Sequence, residues 1–224
     1  MIINNNMKIY IGDTPIEQIY QGESYLYSAV PPHTELQYFT VKGDSNFRID
    51  YNYDDKHNVK LFISFSNGLG HDCDIFRINS SDFVYLWDHW GSNIGWYYNG
   101  YPARIWTNKG WNTSTIYVLE SEKNGQLQVG YIKDISGKTY VSGQHTSQNY
   151  IRNNGASLFG NPSGNYAFSG RFYELIVSDN NQIIYDFVPA LDKEGAVCIY
   201  DKINKTFAYP IVGNPIAGPV KEGI

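Results

Sequence analysis

Short apolar and aromatic segments recur along the chain from about residue 36 onwards, and residues that favour turns separate them. Their spacing of roughly 8–12 residues is typical of β-sandwiches. The alternation is clearest at Lys60–Phe65, where Leu61, Ile63 and Phe65 share one side of a predicted strand. No apolar stretch keeps the helical spacing of 3.6 residues for more than about two turns. The pattern therefore predicts an all-β domain.

Turn chemistry predicts two β-hairpins within this domain. Ser178–Asn181 separates two apolar runs, and Glu122–Gly125 separates another pair. The segment Asp186–Pro189 is interpreted as the exit from a strand, since its proline has no N–H to donate and its aspartate can cap backbone donors. Asp201 and Asn204 are expected to hold a tight turn between two later strands.

A short repeat lies near the start of the chain. Ile9–Ile16 is followed ten residues later by the similar Ile19–Leu26, and each copy places a Gly–acid pair between apolar residues. Such pairs form tight turns, so residues 1–30 are predicted to form a small module of short strands. A module of this size cannot bury its own apolar faces, and we expect it to dock to a partner protein. The expected docking residues are Ile9, Tyr10, Ile11, Ile19, Tyr20 and Tyr25.

The remaining boundaries follow from proline and glycine content. Pro31 and Pro32 stiffen the chain, so residues 31–35 are interpreted as a linker. Residues 36–210 are predicted to form the sandwich. Residues 211–224 are rich in Pro and Gly and are expected to form an extended tail.

Composition and charge narrow the classes of partner. The formal net charge is −5 with both signs scattered along the chain, which argues against nucleic-acid binding and against adhesion to anionic lipid. No apolar run is long enough to insert into a membrane. The first residues lack a secretory-signal pattern, so synthesis and folding in a cytoplasm are expected. Cys73 and Cys198 are expected to be free thiols, although the sequence leaves their pairing open.

Aromatic residues make up 16% of the chain, and the tryptophans cluster between residues 87 and 111. Aromatic rings beside Asp, Asn and His side chains are suited to sugars, because the ring stacks on C–H groups while polar atoms fix hydroxyls. The alternative is that alternate members of this cluster belong to the sandwich core. The candidate glycan-binding residues are Trp87, Asp88, His89, Trp90 and Tyr97.

The sequence gives little support for a metal site or a catalytic site. Asp72 and Asp74 could contribute to a calcium site, but the six or more oxygens that calcium needs cannot be assembled around them. Glycoside hydrolysis needs two carboxylates across one cleft, and the nearest approach, Glu120 and Glu122, has no third acid beside it and adjoins a predicted turn. We therefore expect no metal, no cofactor and no enzymatic activity.

The C-terminal third resembles a known family. Ser169–Val177, Ile184–Ala190 and Gly195–Phe207 are similar in order and spacing to the end of concanavalin/laminin-G-like domains in bacteriophage structural proteins. Gly213 and Gly218-Pro219 are similar to that family's ending, whereas Ala190 and Cys198 depart from it. The Ile-Tyr-x-Gly-acid repeat resembles modules that precede such domains in phage tail, fibre and adhesin-type proteins. The resemblance covers about residues 8–27 and 36–219.

This resemblance implies a jelly-roll β-sandwich and a place in a virion assembled from proteins made in a bacterial cytoplasm. The expected function is that of a structural fibre or tail-appendage protein whose lectin-like sandwich adheres to bacterial surface glycan. Its expected partners are other virion proteins and, by analogy with fibres, further copies of itself. The alternative is an architectural decoration or connector protein that contacts virion neighbours alone. A glycan depolymerase is a third, weaker hypothesis.

Overall fold

The computed structural model describes residues 9–11, 14–16, 18–21, 24–28, 33–43, 45–54, 56–66, 73–78, 84–89, 93–98, 112–124, 127–146, 151–152, 155–160 and 168–222. For several strands, including those before residue 29 and those between residues 84 and 98, the description covers the backbone alone. The chain divides into two compact units, Met1–His33 and Thr34–Ile224.

The first unit consists of antiparallel hairpins. β1 (Ile9–Ile11) pairs with β2 (Thr14–Ile16), and β3 (Gln18–Gln21) pairs with β4 (Ser24–Ser28). The chain reverses between Ile11 and Thr14 and again between Gln21 and Ser24, where the sequence places its Gly–acid pairs. Each copy of the repeat therefore forms a short hairpin, as its turn chemistry predicts.

The second unit contains a large antiparallel sheet. In the described part of the chain it has eleven strands, eight of which follow the order β15-β14-β13-β9-β18-β19-β20-β21. Beyond this path, β5 pairs with β19, and β6 pairs with both β18 and β23. The strands are β5 (His33–Glu35), β6 (Phe39–Lys42), β9 (Asn58–Phe65), β13 (Tyr117–Asn124), β14 (Leu127–Asp134), β15 (Thr139–Thr146), β18 (Ser169–Asp179), β19 (Gln182–Asp192), β20 (Val197–Asp201), β21 (Thr206–Ala208) and β23 (Ile216–Ala217).

A smaller antiparallel sheet packs against the larger one. Within the same described residues it has six strands, in the order β12-β11-β10-β17-β7-β22. A separate short pair joins β8 (Tyr53–Asp54) to β16 (Ile151–Arg152). The strands of the smaller sheet are β7 (Asn46–Ile49), β10 (Cys73–Ile78), β11 (Val84–His89), β12 (Asn93–Tyr98), β17 (Ala156–Leu158) and β22 (Pro210–Val212).

One hydrophobic core lies between the two sheets. Leu61 and Leu175 enter it from the larger sheet, and Phe47 and Phe76 enter it from the smaller one. Phenylalanine dominates the centre, where the ring of Phe39 stacks on that of Phe47 with centroids 5.0 Å apart. Burying apolar surface from both sheets is the main stabilising contribution. The prediction of an all-β sandwich is confirmed, and its jelly-roll connectivity stays a prediction.

Local sequence signals account for several of these strands. Leu61, Ile63 and Phe65 are buried side by side on one face of β9, as their alternation predicts. The predicted hairpin at Ser178–Asn181 is confirmed, with the reversal between Asp179 and Gln182. Its two turn residues are both in the left-handed region, which asparagine tolerates better than most residues. The predicted pairing across Glu122–Gly125 is confirmed by the β13–β14 ladder.

The prediction that Asp186–Pro189 leaves a strand is wrong. β19 continues through this segment to Asp192, and Pro189 lies opposite Ile199 of β20. The Pro189 carbonyl accepts a hydrogen bond from Leu36 N, so the nitrogen of the same residue also points towards β5. Pro189 acts there as an acceptor alone, and the β19–β20 ladder is unaffected because the Pro189 nitrogen points away from β20.

The C-terminal residues run along the sandwich in an extended form. β22 pairs with β7, β23 pairs with β6, and Val220 forms an isolated bridge with Leu36. Gly218 N donates to Tyr38 O, and a side chain at Gly218 would overlap that carbonyl and its ring. The described residues include no helix with the length and apolar character needed to span a bilayer.

Candidate functional site

A recess of about 290 Å³ lies on the face of the larger sheet that points away from the shared core. Its apolar walls come from Leu36, Phe62, Ile116, Ile135, Val188 and Pro189. Its polar and amphipathic groups come from Gln37, Tyr173, Glu174 and Lys221. We refer to this cavity as the recess.

Strand geometry explains why these side chains meet. Phe62 alternates with Leu61 and Ile63, so it points outwards where its neighbours point into the core. A β-bulge in β18 shifts the register between Phe172 and Glu174. A bulge places two consecutive residues opposite one, and both Tyr173 and Glu174 consequently line the recess.

Backbone hydrogen bonds fix the wall formed by the two ends of this unit. Leu36 N donates to Pro189 O at 2.8 Å, and Gln37 N donates to Pro219 O at 2.8 Å. Lys221 N donates to Glu35 O at 2.9 Å, and its ammonium group lies 3.3 Å from the Glu35 carboxylate. The recess is therefore bounded by segments far apart in the sequence.

An aromatic surface continues from the recess along β18. The rings of Tyr173 and Tyr38 are 5.5 Å apart and tilted against each other. The Arg171 guanidinium lies over the Tyr38 ring, 4.4 Å from its centroid, which is a favourable cation–π distance. The exposed edge of the recess thus combines planar rings with a fixed positive charge.

The surroundings of Glu174 in the recess shift the pKa of its carboxyl group. Burial disfavours its charged form, and the negative charge of Asp186 adds to this, so the pKa of Glu174 is raised from its ordinary value. The Asp186 carboxylate is itself bound by Lys202, whose Nζ lies 2.9 Å from Oδ2. Burial opposes the charge of Lys202, but its hydrogen bond to Asp186 and the negative charges of Asp186, Glu35 and Glu174 together outweigh burial and raise the pKa of Lys202.

Glu120, considered above as a catalytic carboxylate, lies on the same outward face but is held by two cations. Lys60 Nζ is 2.9 Å from Oε1 and Lys133 Nζ is 2.6 Å from Oε2. Burial disfavours the charged carboxylate, yet the hydrogen bonds and positive charges of Lys133 and Lys60 together outweigh burial and lower the pKa of Glu120. A carboxylate bound in this way is a poor proton donor, so the geometry favours a structural role.

The predicted glycan-binding residues fall mainly on one hairpin of the smaller sheet. Trp87, Asp88 and His89 belong to β11, and Tyr97 belongs to the edge strand β12. Their registers pair Trp87 with Gly95, Asp88 with Ile94, His89 with Asn93, and Tyr97 with Tyr85. Trp90 and the side chains of the other four lie outside the described residues. The backbone brings these positions to one sheet edge, and their role stays a prediction.

The predicted docking residues belong to the hairpins of the first unit. Ile9, Tyr10 and Ile11 form β1, while Ile19 and Tyr20 belong to β3. Tyr25 of β4 lies opposite Tyr20 in the ladder. The side chains of all six lie outside the described residues, so docking stays a prediction.

The described residues do not form a metal site around the candidate ligands Asp72 and Asp74. Asp72 lies outside the described residues, and Asp74 is placed in β10 by its backbone. Among the described residues, no group of three or more His, Cys, Asp or Glu side chains could hold a metal ion. Cys198 is a free, buried thiol.

Sequence reasoning missed the recess. Its lining residues are scattered from Leu36 to Lys221, and no local motif joins them. One local feature of the sequence indicates the recess: Phe62 is an aromatic residue at an outward position of a strongly alternating strand. The bulge that adds Tyr173 to Glu174 depends on pairing with a distant strand and leaves no such signal. A scan against protein-family models and a search of curated proteins both found no match to this chain.

Proposed function

We propose that the chain is a glycan-binding β-sandwich of a bacteriophage fibre or tail appendage, and that it adheres to polysaccharide on the bacterial surface. The observation that carries the binding proposal is the recess, where outward-facing Phe62 and Tyr173 lie beside Gln37, Glu174 and Lys221. Sugars need both kinds of group, because their C–H faces stack on rings and their hydroxyls need hydrogen-bond partners.

The size of the recess suits a short oligosaccharide. Its volume of about 290 Å³ lies at the lower end of the range for small-molecule sites, enough for one or two sugar rings. Its walls are fixed by backbone hydrogen bonds at Leu36, Gln37 and Lys221, so little ordering is needed on binding. A site of this size gives weak monovalent binding, which multivalent display on a virion would raise.

The virion part of the proposal is supported by sequence resemblance. The C-terminal segments Ser169–Val177, Ile184–Ala190 and Gly195–Phe207 resemble phage structural domains, and the Ile-Tyr repeat resembles their N-terminal modules. In this proposal the first unit docks to other virion proteins or to further copies of the chain.

Binding of the full-length protein to an array of bacterial surface polysaccharides tests the proposal. Tyr173→Ala removes a ring of the recess and should abolish or strongly weaken binding. Tyr131→Ala is the matched control, because Tyr131 is also a half-buried tyrosine on the outward face of the larger sheet and does not line the recess. Absence of binding in both monomeric and multimeric form would overturn the proposal, as would equal losses in the two variants.

The same assay separates the recess from the tryptophan hairpin. If the recess binds glycan, Trp87→Ala should retain binding that Tyr173→Ala loses. The opposite result would place the binding surface on β11 and β12, as the sequence alone predicts. Circular dichroism of both variants checks that each retains the wild-type fold.

An architectural role is the second candidate, and one observation favours it. Five large apolar side chains are exposed along the C-terminal segment of the sandwich, at Tyr209, Ile211, Val212, Ile216 and Val220. Several exposed apolar side chains on one segment are a feature of many protein–protein interfaces. Light scattering of the wild type and of Ile211→Lys tests this role, since an interface here predicts an oligomer that the charged variant dissociates.

A further inference from the structure

Asp186 has one carboxylate oxygen with a partner and one without. Oδ2 is 2.9 Å from the Lys202 ammonium group. Oδ1 is buried and receives no hydrogen bond from any donor in the described part of the chain. A buried charged oxygen without a donor is costly, and the carboxyl group of Glu174 lies within hydrogen-bonding reach of the Asp186 carboxylate.

A proton on Glu174 resolves this arrangement. The protonated acid donates its O–H to Asp186, which supplies the missing hydrogen bond and avoids two adjacent negative charges. The raised pKa of Glu174, caused first by burial and then by the charge of Asp186, agrees with this assignment. The second oxygen of Glu174 remains available as an acceptor for a ligand in the recess.

The charges around Glu174 come from several elements. Asp186 lies on β19, Lys202 follows β20, Lys221 belongs to the C-terminal segment, and Glu35 belongs to β5. Counting Glu174 with these four groups, the net charge is zero when Glu174 is protonated and −1 when it is ionised. Lys221 is then the ionised group among the described residues that line the recess.

We propose that the recess binds an acidic sugar, such as a uronic acid, and that Glu174 must carry a proton for this ligand to bind. The proposal rests on the glycan-binding function proposed above and names its ligand class. Lys221 attracts the sugar carboxylate, whereas an ionised Glu174 repels it. Because proton and ligand favour each other, affinity is highest at low pH and falls as the pH rises through the pKa of Glu174.

Calorimetry with the full-length chain tests the ligand class. The probes are digalacturonic acid and its uncharged counterpart galactobiose, each at about pH 4, below the ordinary pKa of 4.5 for Glu174, and at about pH 8. We expect digalacturonic acid to bind about tenfold more weakly at the higher pH, because the ionised Glu174 then places one like charge near the ligand. The affinity for galactobiose should change little with pH. The Glu174→Gln variant should bind digalacturonic acid at both pH values with the affinity that the wild type has at low pH. The Lys221→Gln variant should bind digalacturonic acid more weakly than the wild type at both pH values. Glu222→Gln is the neighbouring exposed control.

The outcomes distinguish this inference from the function on which it rests. Binding of galactobiose without digalacturonic acid, or a pH-independent affinity for digalacturonic acid, overturns the inference and leaves glycan binding standing. Binding of neither probe at either pH overturns the inference, and a negative polysaccharide array would then overturn the function as well.

The shared proton can be tested without any ligand. An NMR titration of the Glu174 carboxyl carbon should give a midpoint above its ordinary value of 4.5. Asp186→Asn removes the neighbouring negative charge and should lower that midpoint. A Glu174 midpoint at or below 4.5 in the wild type would overturn the proposal.

Discussion

Lys133 Nζ lies 2.6 Å from Oε2 of Glu120, while Lys60 holds the other oxygen of the same carboxylate at 2.9 Å. The three residues stand side by side on strands β9, β13 and β14, at paired or diagonal positions. The Lys133 ammonium also lies 4.3 Å from the centre of the Tyr131 ring. This cluster joins three adjacent strands through one poorly exposed carboxylate.

Glu120→Gln should lower the free energy of unfolding by about 1–2 kcal/mol at neutral pH, because two ammonium groups lose their anionic partner. The folded-state pKa of Glu120 is lowered, so its stabilising contribution is present above the ordinary value of 4.5 and is lost as the pH falls through the folded-state pKa. Urea denaturation at neutral and acid pH measures this difference.

Glu194→Gln is the matched control for this measurement, because Glu194 forms an exposed pair with its neighbour Lys193. It should change stability by less than about 0.5 kcal/mol. A loss in Glu120→Gln that is no smaller in acid would contradict the electrostatic explanation.

Cys198 should resist alkylation in the native protein. Burial and the charge of Asp192 raise the pKa of the Cys198 thiol to about 12, so very little thiolate exists near neutral pH. The Sγ atom also contacts the carbonyl of Ala190, 3.5 Å away. Iodoacetamide should leave the Cys198 peptide unmodified in buffer and modify it in guanidinium chloride, as mass spectrometry can show. Rapid labelling in buffer would mean that this strand opens frequently.

Asp201 should be among the most sensitive polar positions. It is 1% exposed, and its Oδ1 accepts hydrogen bonds from the backbone N–H groups of Ile203 and Asp186. Its Oδ2 accepts from Asn204 Nδ2 at 2.6 Å. Asp201→Ala should cost about 3 kcal/mol of stability, because it leaves these donors without partners.

Thermal unfolding of Asp201→Asn separates hydrogen bonding from packing. Asparagine keeps one acceptor oxygen and nearly the same volume, so its loss of stability should be intermediate. Asp50→Ala, at an exposed position, should change little. Equal melting temperatures for Asp201→Ala and wild type would contradict the capping role.

Sequence patterns predicted this fold well where the signals are local. The alternation of Leu61, Ile63 and Phe65 is a property of neighbouring residues, and so is the turn chemistry of Asn180 and Asn181. The turn held by Asp201 and Asn204 is also local, and its hydrogen bonds confirm that prediction.

Features that depend on distant pairing could not be predicted in this way. Pro189 continues a strand because its nitrogen faces the segment at Leu36 and not the ladder with β20, which its own sequence cannot reveal. The recess depends on a bulge at Tyr173 and on Lys221 reaching Glu35. The sequence instead predicted a glycan-binding site at residues 87–97, because a cluster of tryptophans can be seen in a sequence, whereas the register between strands cannot.

Gly170 is required by the packing of β18 against β9. Its backbone lies so close to Ser64 O and to the ring of Phe168 that a methyl group would overlap both. Phe168 and its neighbours Phe65 and Phe159 are buried, so the ring cannot move aside without disturbing the core. Gly170→Ala should therefore cost about 3 kcal/mol of stability.

Gly137→Ala is the control that separates overlap from backbone strain. Gly137 lies in the turn between β14 and β15 with a φ of 85°, and a methyl group there would meet no atom within 4 Å. Its substitution should cost only about 1 kcal/mol, the strain of a left-handed alanine. Urea denaturation of both variants measures the two losses, and a larger loss for Gly137→Ala would show that the close approach of β18 and β9 is relieved at little cost. If instead Gly170→Ala is the more damaging, the tight contact between these two strands limits which side chains this part of the larger sheet can accept.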